Sequence, residues 1–309
     1  MPRAQSPRVP RAHSYRARPQ RVRTLAAASA AAAIALAVSA CAPTSSAGSS
    51  SSASAGDCTS VSSLSLYKSG QLTVATDSPA YSPWFADNDP GNGQGFESAV
   101  AYAVAAQLGF SKAQVKWVIE PFDSSYAPGK KDFDFDINEI SVTSQRAKAV
   151  DFSTGYYTAD QGVLVLNKSQ YANATTLSAL KGAKIGVQVA TTSYQAVLDE
   201  IKPSQQPSVY NTTDDEIHAL EDGQVDAVVT DMPTVFYLAS AELSDGKILG
   251  QFSYDGGSAA EQFGLLLQKG SKLTPCVDKA VGALKADGKL AQITTQWLSA
   301  SADVPELKQ

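Results

Sequence analysis

Downstream of residue 24 the chain keeps one arginine, Arg146, in the run Ile140-Ser-Val-Thr-Ser-Gln-Arg146, and leaves its other positive charge to 17 lysines. A guanidinium presents five donors in a rigid plane and grips a carboxylate through two of them at once, which an ammonium cannot do. A lone arginine in a lysine-rich chain therefore points to carboxylate recognition; the alternative is a chance surface arginine. Asp231 follows the apolar run Ala227-Val-Val and precedes Pro233. That puts it at the C-terminal end of a strand, where open α/β sheets place ligands; the alternative is an N-cap for a helix opened by Pro233. Thr192 and Ser193 open an amphipathic run, where hydroxyls and free N–H groups at a helix start favour an anion, or simply cap the helix. His218 lies on a helix that turns Ile217 and Leu220 inward, which leaves it on the solvated face. Asp132, Asp134 and Asp136 alternate with Phe133 and Phe135, as in a strand with one wet face, and no metal site is expected there. The sequence contains no Gly-x-Ser-x-Gly, His-Glu-x-x-His or phosphate-binding loop.

These side chains need a scaffold. Apolar runs of strand length at 72–76, 115–119, 184–187, 227–230 and 263–267 alternate with amphipathic stretches at 96–108, 192–201, 233–242 and 275–287. Such alternation predicts βα units and parallel sheet pairing. Thr213-Asp-Asp-Glu216 has the form of a capping box, and Thr274-Pro275 that of an N-cap followed by proline at the first helical position. Gly109 and Gly288 stand where helices should stop. The folded part, about 250 residues, suits two lobes better than one core.

The chain opens with seven arginines and no acid up to Arg23, then an almost purely apolar run to Ala37, then Val38-Ser-Ala-Cys41. A basic start, a short apolar stretch and small residues describe a secretory signal over 1–40. Small residues running into Cys41 also resemble a lipobox, which makes Cys41 the expected lipid-bearing residue; the alternative is an ordinary signal with an incidental cysteine. Seven of the ten residues from Ser45 to Ser54 are serine, so 41–57 is expected to be a flexible tether. Removal of 1–40 shifts the formal charge from −5 to −12, which disfavours nucleic acid as a partner. Cys58 and Cys276 then remain, and in an exported chain two lone cysteines are most simply a disulfide.

Read in order, the motifs resemble the polar-amino-acid family of extracytoplasmic solute-binding proteins that serve ABC importers. They are Gly70-Gln-Leu-Thr-Val-Ala-Thr-Asp77, Tyr81-Ser-Pro-Trp84, Gly95-Phe-Glu97, Ile140 to Arg146, Val150-Asp-Phe-Ser-Thr-Gly-Tyr-Tyr157, Ile185-Gly-Val-Gln-Val-Ala-Thr-Thr-Ser193 and Leu220-Glu-Asp-Gly-Gln-Val-Asp-Ala-Val-Val-Thr-Asp231. The resemblance implies a two-lobed, type II periplasmic-binding-protein-like α/β fold. Its mixed sheets carry helices on both faces, and the chain crosses between lobes twice. Lobe 1 would comprise 58–158 and 262–309, and lobe 2 would comprise 159–261. The resemblance also implies a cleft in which Arg146 and Ser141 hold the ligand's carboxylate with Thr192 and Ser193. Asp231 would hold its ammonium, and Tyr81 and Phe122 would flank its side chain, while Trp84 is assigned to packing.

Two departures from the family pattern bear on specificity. Glu139 stands where many relatives carry a small residue; with Asp77 it would put negative charge near the ligand side chain, the alternative being that it points into solvent. Ala190 stands where a glycine is common. Without a second arginine for a ligand carboxyl side chain, a neutral amide or a cationic side chain is expected, and glutamate and aspartate are not. The expectation is a monomeric, cofactor-free binding protein, lipid-anchored outside the cell membrane, that passes a free amino acid to ABC permease subunits. The alternatives are a lipid-anchored sensor domain and an exported dehydratase-like enzyme, for which Glu139 is the acid–base candidate.

Overall fold

The computed structural model describes residues 58–256, 261–298 and 304–309, so the expected leader, Cys41 and the expected tether lie outside the described residues. In chain order its strands are β1 (Leu72–Thr76), β2 (Val115–Ile119), β3 (Phe135–Asp136), β4 (Val150–Phe152), β5 (Tyr157–Thr158), β6 (Gln161–Leu166), β7 (Ile185–Gln188), β8 (Ser208–Tyr210), β9 (Ala227–Asp231), β10 (Gly246–Phe252), β11 (Gln262–Phe263) and β12 (Leu266–Gln268). The helices are α1 (Phe96–Gln107), α2 (Phe122–Ser125), α3 (Thr192–Ala196), α4 (Thr213–Glu221), α5 (Met232–Tyr237), α6 (Thr274–Ala286) and α7 (Lys289–Leu298).

The fold is α/β and two-lobed, with one five-stranded mixed sheet per lobe, in the orders β2-β1-β3-β12-β4 and β10-β6-β9-β7-β8. In each, parallel pairs (β1 with β2 and β3, β7 with β8 and β9) meet antiparallel strands, β12 in the first sheet and β6 and β10 in the second. The middle of the second sheet is covered on both faces, so β6, β7 and β9 are buried and largely apolar. From β6, Val163 and Val165 join the core that holds Ala196, Val197 and Ile201, while Leu164 and Leu166 face Ile217, Leu220, Met232 and Val235. In the first sheet Leu72 and Val74 pack with Val100, Val104, Val277 and Ile293 of the helices, and Ala75 and Leu266 face Phe133 and Val150.

Between the sheets in sequence, β5 pairs antiparallel with β11. Tyr157 and Phe263 of this ladder pack against the fully buried Trp84, with ring centroids 5.7 and 5.6 Å away. Cys58 and Cys276 form the expected disulfide, with 5.3 Å between their Cα atoms. The chain's last residues add a contact that the sequence does not suggest. Gln251 and Leu177 exchange backbone hydrogen bonds with Pro305, Leu307 and Lys308, and Leu307 is buried in a core of the second sheet.

Three local expectations are corrected. The N-cap of α4 is Thr212, whose hydroxyl accepts from the Asp215 N–H, while Thr213 instead donates to Gln188. Helix α6 starts at Thr274, one residue before the proline, and the Thr274 hydroxyl caps nothing. Asp134 and Asp136 are buried rather than wet. Asp134 is drawn in by the N–H groups of Tyr67 and Thr73, at 2.6 and 2.7 Å.

Candidate ligand-binding cleft

The residues singled out by chemistry converge on a cleft between the two sheets. Asp77, Tyr81, Phe122, Glu139 and Ser141 come from the first lobe, and Thr192, Asp231 and Thr234 from the second. Their lobes touch, leaving a cavity of about 50 Å³ open to the centre of a water-sized sphere, room for a few waters.

Arg146 opens a short turn just before β4 and is buried. Its Nη1 donates to the Ser141 carbonyl at 2.8 Å and its Nη2 to the Ala190 carbonyl of the other lobe at 2.9 Å. The rings of Tyr126 and Phe122 lie 4.8 and 5.5 Å from its guanidinium carbon, a cation–π setting that fixes its plane. Burial pulls its pKa down, against the attraction of Tyr126, Glu261 and Asp231.

Ser141 and Thr192 reach across the cleft, their hydroxyl oxygens 3.3 Å apart, and both donate to one oxygen of the Glu261 carboxylate. Gln161 Nε2 donates to the other Glu261 oxygen at 3.1 Å and to Asp231 at 2.7 Å. Asp231 does occupy the position before α5, but its side chain makes no cap and turns to Gln161 and the cavity. Burial first, and then the neighbouring Glu261, raise its pKa well above the carboxylate range.

Glu139 lies in the left-handed region (φ 52°), as does Ala190 (φ 66°). Both are positions where a side chain is strained and glycine is not. The Glu139 N–H donates to the buried Glu97 at 2.7 Å, and its carboxylate accepts from Thr234 of the second lobe at 2.9 Å. Thr234 in turn accepts from the Trp84 indole N–H at 2.7 Å, so Trp84 links the lobes as well as packing. Burial, then Glu97 and Asp231, hold the Glu139 pKa well above its ordinary range. Asp77 lines the cavity while accepting from the N–H groups of Ser78 and Phe122 at 2.6 and 3.2 Å.

Two of the expected site residues do not line this cavity: Ser193 is buried in the first turn of α3, and Arg146 lines an adjoining cavity with Tyr126, Ala190 and Thr192. Sequence reasoning missed Tyr126, Gln161, Thr234 and Glu261. Tyr126 stands four residues after Phe122 on one helical face, a spacing that pairs side chains. Gln161 and Glu261 carry no local signal, because they meet only once the β5–β11 ladder has formed.

A family model for bacterial extracellular solute-binding proteins, family 3, matches residues 72–300. The L-cystine-binding protein TcyJ of Escherichia coli (strain K12) is 27% identical over 236 residues, covering 75% of this chain and 84% of that protein. An L-arginine-binding protein of Pseudomonas aeruginosa is 28% identical over 247 residues, covering 74% and 90%. Among solved structures, an ancestral arginine-binding protein bound to glutamine is 29% identical with a TM-score of 0.62, covering 74% of this chain and 98% of that one. With the two-lobed fold, the cleft and a match over most of its length, the chain belongs to family 3 of the bacterial extracellular solute-binding proteins.

Proposed function

We propose that this protein binds a free polar amino acid between its lobes and delivers it to an ABC importer while lipid-anchored through Cys41 outside the cell membrane. The observation that carries the reading is the donor set around Arg146. Hydroxyls from both lobes already hold a carboxylate, that of Glu261, beside a buried guanidinium, and Asp231 faces the same cavity. An α-amino acid needs that arrangement, a carboxylate clamp next to an anion for its ammonium. Ligand held by Arg146 and Ser141 would draw in the Thr192 and Asp231 side about hinges at the β5–β11 ladder, and the closed form would dock on the permease.

Asp77, Glu139 and Asp231 make the cavity acidic, and Arg146 lines an adjoining cavity that shares Thr191 and Thr192 with it. A neutral amide or cationic side chain therefore suits the remaining space, and a second carboxylate does not. The relatives named above bind cystine and arginine, and glutamine sits in the ancestral structure. Thermal unfolding of the full chain against a panel of free amino acids, sugars and short peptides tests the reading. A ligand at a hundred times its dissociation constant adds about 2.7 kcal/mol. The expected result is a raised midpoint with one or a few amide or cationic amino acids. Glutamate as the strongest stabiliser contradicts the specificity argument, and a panel silent for all amino acids contradicts the function.

A further inference from the structure

Glu261 belongs to no motif, yet it holds a central position in the cleft. It immediately precedes β11, and its backbone is fixed on both sides: its carbonyl accepts from the Ala159 N–H at 3.1 Å, and its N–H donates to the Tyr254 carbonyl at 3.3 Å. The residue is 7% exposed. One carboxylate oxygen accepts from both Ser141 and Thr192, the other accepts from Gln161, and the Arg146 charge attracts it.

The hydroxyls just named are the donors a ligand carboxylate requires. We infer that Glu261 is a built-in occupant of the carboxylate clamp, which a bound amino acid must evict and which sets the affinity of the site. This inference rests on the amino-acid-binding reading above. Two carboxylates cannot share one donor set, because like charges at that separation repel and the hydroxyl protons are already committed. Space for the evicted side chain adjoins it. A second cavity of about 360 Å³, lined by Val142, Thr143, Tyr254 and Glu261 itself, shares Ser141 and Thr192 with the first. Glu261 therefore reaches the clamp from one side, with the ligand cavity on the other. Because its donors come from both lobes, it also ties the lobes together across the cleft. The apparent dissociation constant is then the intrinsic one divided by the fraction of molecules in which Glu261 has left the clamp.

The test compares the full chain with its Glu261→Ala and Glu261→Gln variants, titrated calorimetrically with L-arginine, L-glutamine and L-cystine. Whichever of these binds should bind Glu261→Ala about tenfold or more tightly, with Glu261→Gln, which keeps an acceptor without the charge, in between. Unchanged or weaker binding in both variants overturns the inference, and weaker binding makes Glu261 a partner of the ligand ammonium instead. Hydrogen–deuterium exchange of the ligand-free proteins is the second readout. Peptides covering 188–196 should exchange several-fold faster in Glu261→Ala, because Thr192 loses its bridge to the first lobe. Unchanged protection overturns the inference. If wild type and variants all ignore the three amino acids, the functional reading is decided by the full amino-acid panel, while the exchange result still decides the place of Glu261.

Discussion

Glu97 shows how one buried carboxyl links the cleft floor to stability. It is fully buried at the start of α1, with one oxygen taken by the Tyr156 hydroxyl and the Glu139 N–H and the other unpartnered. Burial, against those two hydrogen bonds, pushes its pKa from 4.5 up to about 7. Between these values the folded chain holds a proton that the unfolded chain has released. Its contribution to stability is therefore complete below about pH 4.5 and is lost as pH rises towards 7, by roughly 3 kcal/mol in all. Denaturant unfolding across pH 4–8 should show that decline together with those of Glu139 and Asp231, and Glu97→Gln should make it shallower without abolishing it. An unchanged slope in the variant would assign the titration to another group. Glu97 was quoted in the sequence only as part of Gly95-Phe-Glu97. Its burial could not be read there, since charged residues are usually exposed and nothing local announces that Tyr156 comes to meet it.

At the level of elements, strands and helix ends were the most legible features. The β1, β2 and β9 spans follow directly from apolar runs bounded by turn residues. The start of α1 depends on contacts distant in sequence. The N–H groups of Phe96 and Glu97 donate to the carbonyls of Pro83 and Trp84, and a Cβ on Gly95 would lie 2.4 Å from the Trp84 oxygen. A glycine is needed there for both space and its φ of 95°. Asp134 and Asp136 misled because period two sets which face a residue shares, not whether that face is wet. The junction of α5 with Glu139 gives a prediction of its own. Thr234→Val preserves volume, but it leaves the Trp84 indole and the Glu139 carboxylate without their shared partner, a loss of roughly 1–3 kcal/mol in the closed state. Ligand affinity measured by titration should fall, and the unfolding midpoint of the free protein should fall with it, because both bonds are made in the structure described. Unaltered affinity would remove the Trp84–Thr234–Glu139 contact from the closing mechanism.

For the whole molecule, the two-lobed plan was legible because motif order encodes it, and so was the acidic character of the cleft. The pairing of Gln161 with Glu261, one hundred residues apart, and the return of Leu307 to the second sheet were not, because both exist only after the lobes form. The Cys58–Cys276 bond spans 218 residues, and its two ends pack into the same core as α1 and α6. Cys58→Ser should therefore lower stability by about 2–5 kcal/mol while leaving affinity unchanged; a large affinity loss would mean that the bond restrains the cleft itself. The central claim, that Arg146 clamps the carboxylate of a free amino acid, is tested most directly by calorimetric titration of wild type and Arg146→Ala with L-arginine and L-glutamine. Loss of the buried guanidinium should weaken whichever ligand binds by about 2–5 kcal/mol, with the variant still folded. Binding to Arg146→Ala with wild-type affinity would contradict the account.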